Sequence, residues 1–506
     1  MRWLLRLPFF VVLMGIGALA MLVPAAHAAA MEDYASMRLF FYSALLFFIL
    51  TGVIAIARAD DGRPAATRSQ LLALAMAFTV LPLMFAMPLY IGVERTTFFD
   101  AWFEMVSSFT TTGATLYEGA GRLTPSMHLW RALVAWMGGL LVWITAVSIF
   151  APLNLGGFEV RATGGVGVGQ GDHFAQIGRT VNAGERLLRF TATLAPIYIG
   201  LTFALWLGLV IAGEFPYVAL IHAMSTLSTS GISPIDGLYY GASRFWGELM
   251  IFGFFIFALS RLTFNRDLTG ESETELRRDP EFVTALILIG LVTGLLFLRH
   301  FVGAADSEAD LPLLESVRAL WGALFTVTSF LTTTGFESHY WEGATVWSGL
   351  ETPGLFLIGL ALIGGGVATT AGGVKLLRIY ALYRHGEREQ ERLLHPNSIG
   401  GGGREARRIR RQGARISWIF FMLFALSIAA VMLLLSLTGV QFETSMVLAV
   451  SALSTTGPLA VIAAETPISY SGLPDAAKAI LAMAMVLGRL ETLVVIALFN
   501  PEIWDR

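Results

Sequence analysis

The sequence predicts an all-α membrane protein. Four repeats, each a span, a short re-entrant helix, a hydroxyl-rich loop and a second span, surround a pseudo-fourfold axis, with two extra transmembrane helices ahead of them. Three observations predict it. Of 506 residues only 14% are charged and 55% are hydrophobic, whereas soluble domains carry about a quarter charged residues; mean hydropathy is +0.67. Apolar stretches of bilayer length recur along the whole chain. One hydroxyl-rich motif recurs four times at nearly even spacing. The composition excludes an ordinary soluble enzyme and a disordered chain. A formal charge of −3 gives no basic excess for nucleic acid, and the absence of Cys removes disulfides, thiolate metal sites and thiol nucleophiles.

Taken in order, spans are expected at Leu7–Val23, Leu39–Ala57, Leu71–Val93, Leu133–Phe150, Thr191–Ala212, Phe245–Ser260, Phe282–Leu298, Leu355–Val374, Ile416–Leu437 and Ile480–Phe499. Arg2 and Arg6 before the first apolar run, with Ala26-His27-Ala28 after it, also resemble a secretory signal. The length of the run, and a chain that passes straight into the next span from Tyr34, favour a retained helix. Four shorter apolar pieces, Phe98–Phe109, Tyr217–Leu227, Ala319–Leu331 and Ser445–Leu453, are too short to cross and suit re-entrant helices. The chain so divides into two N-terminal transmembrane helices (1–68) and repeats at 69–160, 161–265 and 279–385, then a basic linker (386–415) and a fourth repeat (416–506).

Lys and Arg set the expected orientation. Arg2 and Arg6, then Arg58, Arg63 and Arg68, then Arg161, Arg179, Arg186 and Arg189, then Arg261, Arg266, Arg277 and Arg278 fall in alternate connections. Residues 375–415 hold eleven of the 34 Lys and Arg. Both termini and the basic connections are therefore expected in the cytoplasm, with the short helices entering from outside.

Each short piece ends alike. The four versions are Ser107-Ser108-Phe109-Thr110-Thr111-Thr112-Gly113, Ser225-Thr226-Leu227-Ser228-Thr229-Ser230-Gly231, Ser329-Phe330-Leu331-Thr332-Thr333-Thr334-Gly335 and Ser451-Ala452-Leu453-Ser454-Thr455-Thr456-Gly457. Ser stands six before Gly, Phe or Leu four before, Thr two before, and Ser or Thr three and one before. Irregular backbone at membrane depth is tolerated only where it is buried in protein or lines a cavity. Four such loops around one axis can offer rings of carbonyls that replace the hydration shell of a cation. Gly permits unusual torsions there, and helix C-terminal ends carry partial negative charge that favours the cation. The candidate cation-coordinating residues are Thr111, Thr112, Gly113, Thr229, Ser230, Gly231, Thr333, Thr334, Gly335, Thr455, Thr456 and Gly457. Glu118, Asp236 and Glu337 follow the loops and can concentrate cations at the mouth.

Two further features stand out. Gly364, Gly365, Gly366, Thr369, Thr370, Gly372, Gly373 and Lys375 crowd into the eighth span, where the glycines would break a helix at membrane depth. Arg489 and Glu491 are charges within the last span; two apart, they lie on different helix faces and cannot simply neutralise each other. No Gly-Lys pair exists, so there is no Walker A motif; Gly165, Gly167, Gly169 and Gly171 lack dinucleotide-binding spacing. His222, in the second short helix, is expected to be a packed or hydrogen-bonded residue.

The whole arrangement resembles the Trk/Ktr/HKT superfamily of potassium transporters, and within it the TrkH-type subunits, which also carry two helices ahead of four repeats. Ser-Phe-Thr-Thr-Thr-Gly-Ala-Thr at 108–115 and Thr-Thr-Thr-Gly-Phe-Glu-Ser at 332–338 are similar to that family's filter sequences. The resemblance implies potassium uptake through a single-chain pseudo-fourfold pore, with no organic cofactor in this chain. It also implies a homodimer in the bacterial inner membrane and a cytosolic TrkA-type nucleotide-binding ring. It assigns gating to the glycine-rich stretch with Lys375, and to Arg489 beneath the filter. Pro458, directly after Gly457, departs from the pattern. A secondary cation symporter coupled to sodium or protons is the rival transport reading. An intramembrane enzyme is disfavoured, because there is no Cys, no His-Glu-x-x-His and no Gly-x-Ser-x-Gly.

Overall fold

In a computed structural model every regular element among the described residues is helical. The described residues are 8–58, 67–151, 156–160, 183–260, 279–303, 313–350, 352–395, 411–464 and 466–491. Arg2, Arg6, Arg161, Arg179, the glycines at 165–171, residues 396–410 of the basic linker and the last expected span beyond Glu491 lie outside them.

Helices α1 (Phe9–Ala20) and α2 (Leu22–Ala30) form one apolar rod, followed by α3 (Tyr34–Ala57). The Asp33 carboxylate caps α3 by accepting from Ser36 N at 3.1 Å. The rod is packed inward: Met14, Ala18 and Met21 are buried in the same core as Phe78 and Phe85, and His27 bonds Ser126.

The first repeat is α4 (Thr67–Gly92), the short α5 (Phe98–Phe109), the hydroxyl loop and α6 (Pro125–Thr145), which runs into a π-helical turn at Ala146–Phe150. The second is α7 (Ala183–Ile211), short α8 (Pro216–Ser228), the loop, then α9 (Arg244–Phe254) and α10 (Ile256–Leu259). The third is α11 (Pro280–Gly303), α12 (Leu313–Leu331), the loop, α13 (Trp341–Ser348) and α14 (Gly354–Ile363). Then α15 (Leu376–Leu394) leads toward the fourth: α16 (Arg411–Leu437), short α17 (Phe442–Leu453), the loop with the single turn α18 (Leu459–Ile462), and α19 (Asp475–Leu490).

Local chemistry starts the short helices. Thr97 Oγ1 accepts from Asp100 N at 3.1 Å to cap α5, and Asp100 complements the helix dipole. Pro216 and Pro125 occupy first-turn positions of α8 and α6, where a missing N–H costs nothing. The first two short helices are buried where they approach their loops: all of Phe103–Phe109 and Ile221–Ser228 are buried. The long helices turn apolar side chains outward, as Leu426, Leu433 and Leu437 of α16 do, which is the arrangement a lipid solvent requires.

Among the described residues, seven helices are long and apolar enough to cross a membrane. Three expected spans are not continuous helices of that kind. Phe245–Ser260 is split at Phe255 and ends in extended backbone at Ser260. Leu355–Val374 stops at Ile363, where Gly364 takes φ +74°. Ile480–Phe499 starts earlier, at Asp475, and its helix ends at Leu490, where Glu491 takes φ +60°. Hydropathy reports burial and not helix continuity, so apolar runs with internal breaks look like spans. The third short helix is also longer than expected, beginning six residues before Ala319.

Candidate functional site

The four short helices end in one hydrogen-bonding scheme. The residue just before each Gly donates its N–H to the carbonyl of the Ser six before that Gly: Thr112 to Ser107 at 2.8 Å, Ser230 to Ser225, Thr334 to Ser329 and Thr456 to Ser451, each at 2.9 Å. The Thr two before Gly is left-handed in all four, with φ of +57° at Thr111, +54° at Thr229, +56° at Thr333 and +53° at Thr455. A non-glycine residue there is strained. Four in register mean that the surrounding structure imposes the turn. The flanking hydroxyls satisfy each other: Thr110 and Thr112 at 2.8 Å, Ser228 and Ser230 at 3.0 Å, Thr332 and Thr334 at 3.0 Å, Ser454 and Thr456 at 3.2 Å. This pairing is why positions three and one before Gly are always Ser or Thr.

The loops close a ring. A Cβ placed on Gly113 would lie 1.8 Å from the Ser230 carbonyl oxygen, and one on Gly231 would lie 2.4 Å from Thr334 O. One on Gly335 would meet Pro458 Cγ at 2.9 Å, and one on Gly457 would meet Ala114 N at 2.2 Å. Each glycine therefore abuts the next loop, and the fourth returns to the first. Gly113, Gly231 and Gly335 have φ of +75°, +66° and +79°. Gly457 does not share this left-handed conformation: Pro458 disfavours it, and the Gly457 N–H crosses to Thr112 O at 2.6 Å. Three of the four glycines therefore share one backbone conformation.

Beneath the ring, residues 364–375 form an irregular loop between α14 and α15. It is bonded to the hydroxyl loops themselves. Thr229 Oγ1 donates to Thr370 O at 2.9 Å, Thr370 Oγ1 donates to Leu227 O at 2.9 Å, and Gly372 N donates to Thr333 Oγ1 at 2.7 Å. A Cβ on Gly372 would meet Ser454 O at 2.1 Å, so the loop also presses on the fourth repeat. Gly364 and Gly373 meet backbone to backbone, and Gly365 and Gly366 press on Ala258 O and Leu259 O of α10. Arg489 Nη1 donates to Thr370 O at 2.7 Å, and the buried Lys375 Nζ donates to Ala371 O. Glu491 pairs instead with Arg378 at 2.7 Å, whose guanidinium lies 3.6 Å over the Phe420 ring. Arg489 and Lys375 line a small cavity with Phe150, Thr369 and Gly488. Arg489 Nε and Nη2 have no partner there.

Residues 36–506 match the TrkH family model, described as a cation transport protein. The chain belongs to the TrkH family. Among curated relatives it is 29% identical over 445 residues to the Trk system potassium uptake protein TrkH of Salmonella typhimurium, covering 87% of this chain and 86% of that protein. It is 27% identical over 497 residues to TrkG of Escherichia coli, covering 96% of each. The crystal structure of the potassium transporter TrkH from Vibrio parahaemolyticus superposes with a TM-score of 0.82 at 25% identity, covering 100% of both chains.

In this TrkH-family chain all twelve candidate coordinating residues come together in the one ring. The acids beyond it do not behave alike. Glu118 accepts from Ser469 Oγ, Asp236 Oδ2 accepts from Ala120 N at 2.8 Å, and Glu337 is half-buried. His222 is buried and bonded to Ser233 Oγ at 2.9 Å, in the packed role expected of it.

Several further charges belong to no sequence motif. Glu104 and Arg131 form a buried pair at 2.6 Å. Glu248 of α9 accepts from Trp321 Nε1 at 2.7 Å and Ser338 Oγ at 2.8 Å, joining the second repeat to the third. Lys478 of α19 reaches Asp100 of α5 at 2.8 Å, joining the fourth repeat to the first. The signal that could have found them is an ionisable residue in an otherwise apolar segment, which is costly unless partnered.

Proposed function

We propose that the chain takes up potassium across the bacterial inner membrane through the ring of Thr111–Gly113, Thr229–Gly231, Thr333–Gly335 and Thr455–Gly457. The observation that carries this reading is the closed ring of four loops with one shared hydrogen-bonding scheme. Because the loop hydroxyls at two positions are spent on each other, the backbone carbonyls, with the unpartnered hydroxyls of Thr111 and Thr455, are the groups left to replace an ion's water. The C-terminal ends of α5, α8, α12 and α17 converge on the ring, and their partial negative charge favours a cation. Fourfold repetition suits a ring around a permeating ion and not a single nucleophile, so the reading is of a transporter and not an enzyme. The membrane potential supplies about 2.3 kcal/mol per charge per 100 mV for uptake.

Gating falls to the segment Gly364–Lys375 with Arg489. The segment is hydrogen-bonded to the ring from below, so its displacement would uncouple it from the loops and open the exit side. Arg489 holds it through Thr370 O and adds a fixed positive charge on the exit side. The wider reading includes two leading helices and four repeats with the boundaries set out above, both termini in the cytoplasm, a lipid-embedded homodimer, and a TrkA-type nucleotide-binding ring docked on the basic side. No organic cofactor and no nucleic acid enter it.

The test is rubidium uptake by potassium-starved cells lacking their own uptake systems. Expression of the chain should restore saturable uptake that excess potassium suppresses and excess sodium does not. Uptake no greater than in empty-vector cells would contradict the function. Co-purification with a TrkA-type ring should weaken at high salt, where exposed charges are screened.

A further inference from the structure

The residue nine before each ring glycine is Glu104, His222, Thr326 or Leu448. These four side chains differ in charge, size and polarity, although the motif that follows them barely varies. Three of them reach across their own repeat to the segment just beyond the glycine. Glu104 Oε2 accepts from Leu116 N at 2.9 Å. His222 Nε2 bonds Ser233 Oγ at 2.9 Å; that hydroxyl donates to Gly237 O at 3.0 Å, so the imidazole N–H is the donor. Thr326 Oγ1 accepts from Ser338 N at 3.2 Å. The side chains of all three are buried, with 0%, 1% and 0% of their surface exposed. Leu448 can make no such bond. In its repeat Tyr470, from beyond the loop, takes the place: its hydroxyl donates to Gly457 O at 3.0 Å and contacts Ser451 Oγ at 2.8 Å.

We propose that Glu104, His222 and Thr326 are positioning residues for ion selection, each bracing the far end of its loop so that the ring keeps its spacing, with Tyr470 serving the fourth loop. This role presupposes that the ring is the filter. Each loop is already fixed at its near end by the bond to the Ser six before its glycine. A segment held at one end can pivot, and a carbonyl ring that pivots can fit a smaller ion. The second tether removes that freedom. The braces are chemically unlike because each must reach a different acceptor or donor. Glu104 is itself held by Arg131, His222 packs edge-on against Phe336 of the third loop, and Ser338 is shared with Glu248. The second and third loops are therefore braced partly through each other.

The test uses near-isosteric pairs in the full-length protein reconstituted in liposomes, with paired rubidium and sodium uptake as the readout and thermal stability measured alongside. Thr326→Val removes the acceptor and keeps the shape; Thr326→Ser keeps the acceptor. His222→Leu removes the donor; His222→Gln keeps an N–H at nearly the same place. A lost buried hydrogen bond costs enough to change a ratio by roughly three- to tenfold. Thr326→Val and His222→Leu should lower the rubidium-to-sodium ratio by that factor, while Thr326→Ser and His222→Gln should restore it. Leu448→Met, at the unbraced position, should leave the ratio unchanged. A wild-type ratio in folded Thr326→Val and His222→Leu would overturn the proposal, as would equal losses in each conservative partner. If Thr326→Val does not fold, the His222 pair decides. Wild-type protein that does not prefer rubidium would instead refute the filter reading.

Discussion

Replacing Gly113 by Ser strikes the ring where its tolerance is least. The new Cβ would stand 1.8 Å from Ser230 O, against 3.4 Å for the start of ordinary contact, so the two loops must part by the 1.6 Å difference. Its φ of +75° adds about 1–2 kcal/mol for any residue with a Cβ. At Gly231 the shortfall to Thr334 O is 1.0 Å, from 2.4 to 3.4 Å. At Gly335 the nearest atom is a Pro458 ring carbon at 2.9 Å, a shortfall of only 0.5 Å from 3.4 Å. The side chain therefore acts by wedging neighbouring loops apart, not by plugging the path. A strain of about 1.4 kcal/mol borne unequally by two ions is a tenfold change in preference. We expect Gly113→Ser to lower the rubidium-to-sodium uptake ratio by about that much, with Gly231→Ser close behind and Gly335→Ser weakest. Gly290→Ser, in α11 with nothing within 4 Å of its Cβ position, should match wild type. The assay is paired rubidium and sodium uptake into liposomes holding purified, monodisperse protein. Wild-type ratios in folded Gly113, Gly231 and Gly335 mutants alike would mean that the loops do not select the ion.

Arg489→Gln should raise partner-free potassium flux, since it removes a positive charge from the exit side. A unit charge about 8 Å from the ion is worth about 2 kcal/mol at an effective dielectric of about 20, hence more than tenfold. Unchanged flux in a folded mutant would take Arg489 off the ion's route. Thr370→Val removes the bond to Leu227 O and should likewise raise flux, by less, because Arg489 still holds the Thr370 carbonyl. Glu248→Ala strands the donors of Trp321 and Ser338 and should cost about 2–4 kcal/mol, read as a lower melting temperature; an unchanged melting temperature would mean the second and third repeats are joined elsewhere.

Repetition is what made the ring legible. One Thr-Thr-Gly says little, but four in one alignment fix which residues must be equivalent. The conformation within the motif was not legible, because Thr111, Thr229, Thr333 and Thr455 are flanked by other hydroxyls and nothing local marks them for the left-handed turn. Pro458 did signal the exception, since a residue before proline is restricted and Gly457 alone departs. The break at Gly364 was legible from its glycines. Those at Phe255 and Glu491 were not, because Phe255 is apolar like its neighbours and a charge within an apolar run does not by itself mark a helix end. The braces were hidden for a different reason. A contact between a short helix and its own exit loop depends on the loop's path, which spacing alone does not give.

The most direct measurement is anomalous scattering from crystals of the protein grown with thallium or rubidium in place of potassium. Density is expected on the axis of the ring, among the backbone of Thr111–Gly113, Thr229–Gly231, Thr333–Gly335 and Thr455–Gly457, lost when sodium replaces the heavier ion. Ordered density elsewhere in the membrane region, with none inside the ring, would contradict it.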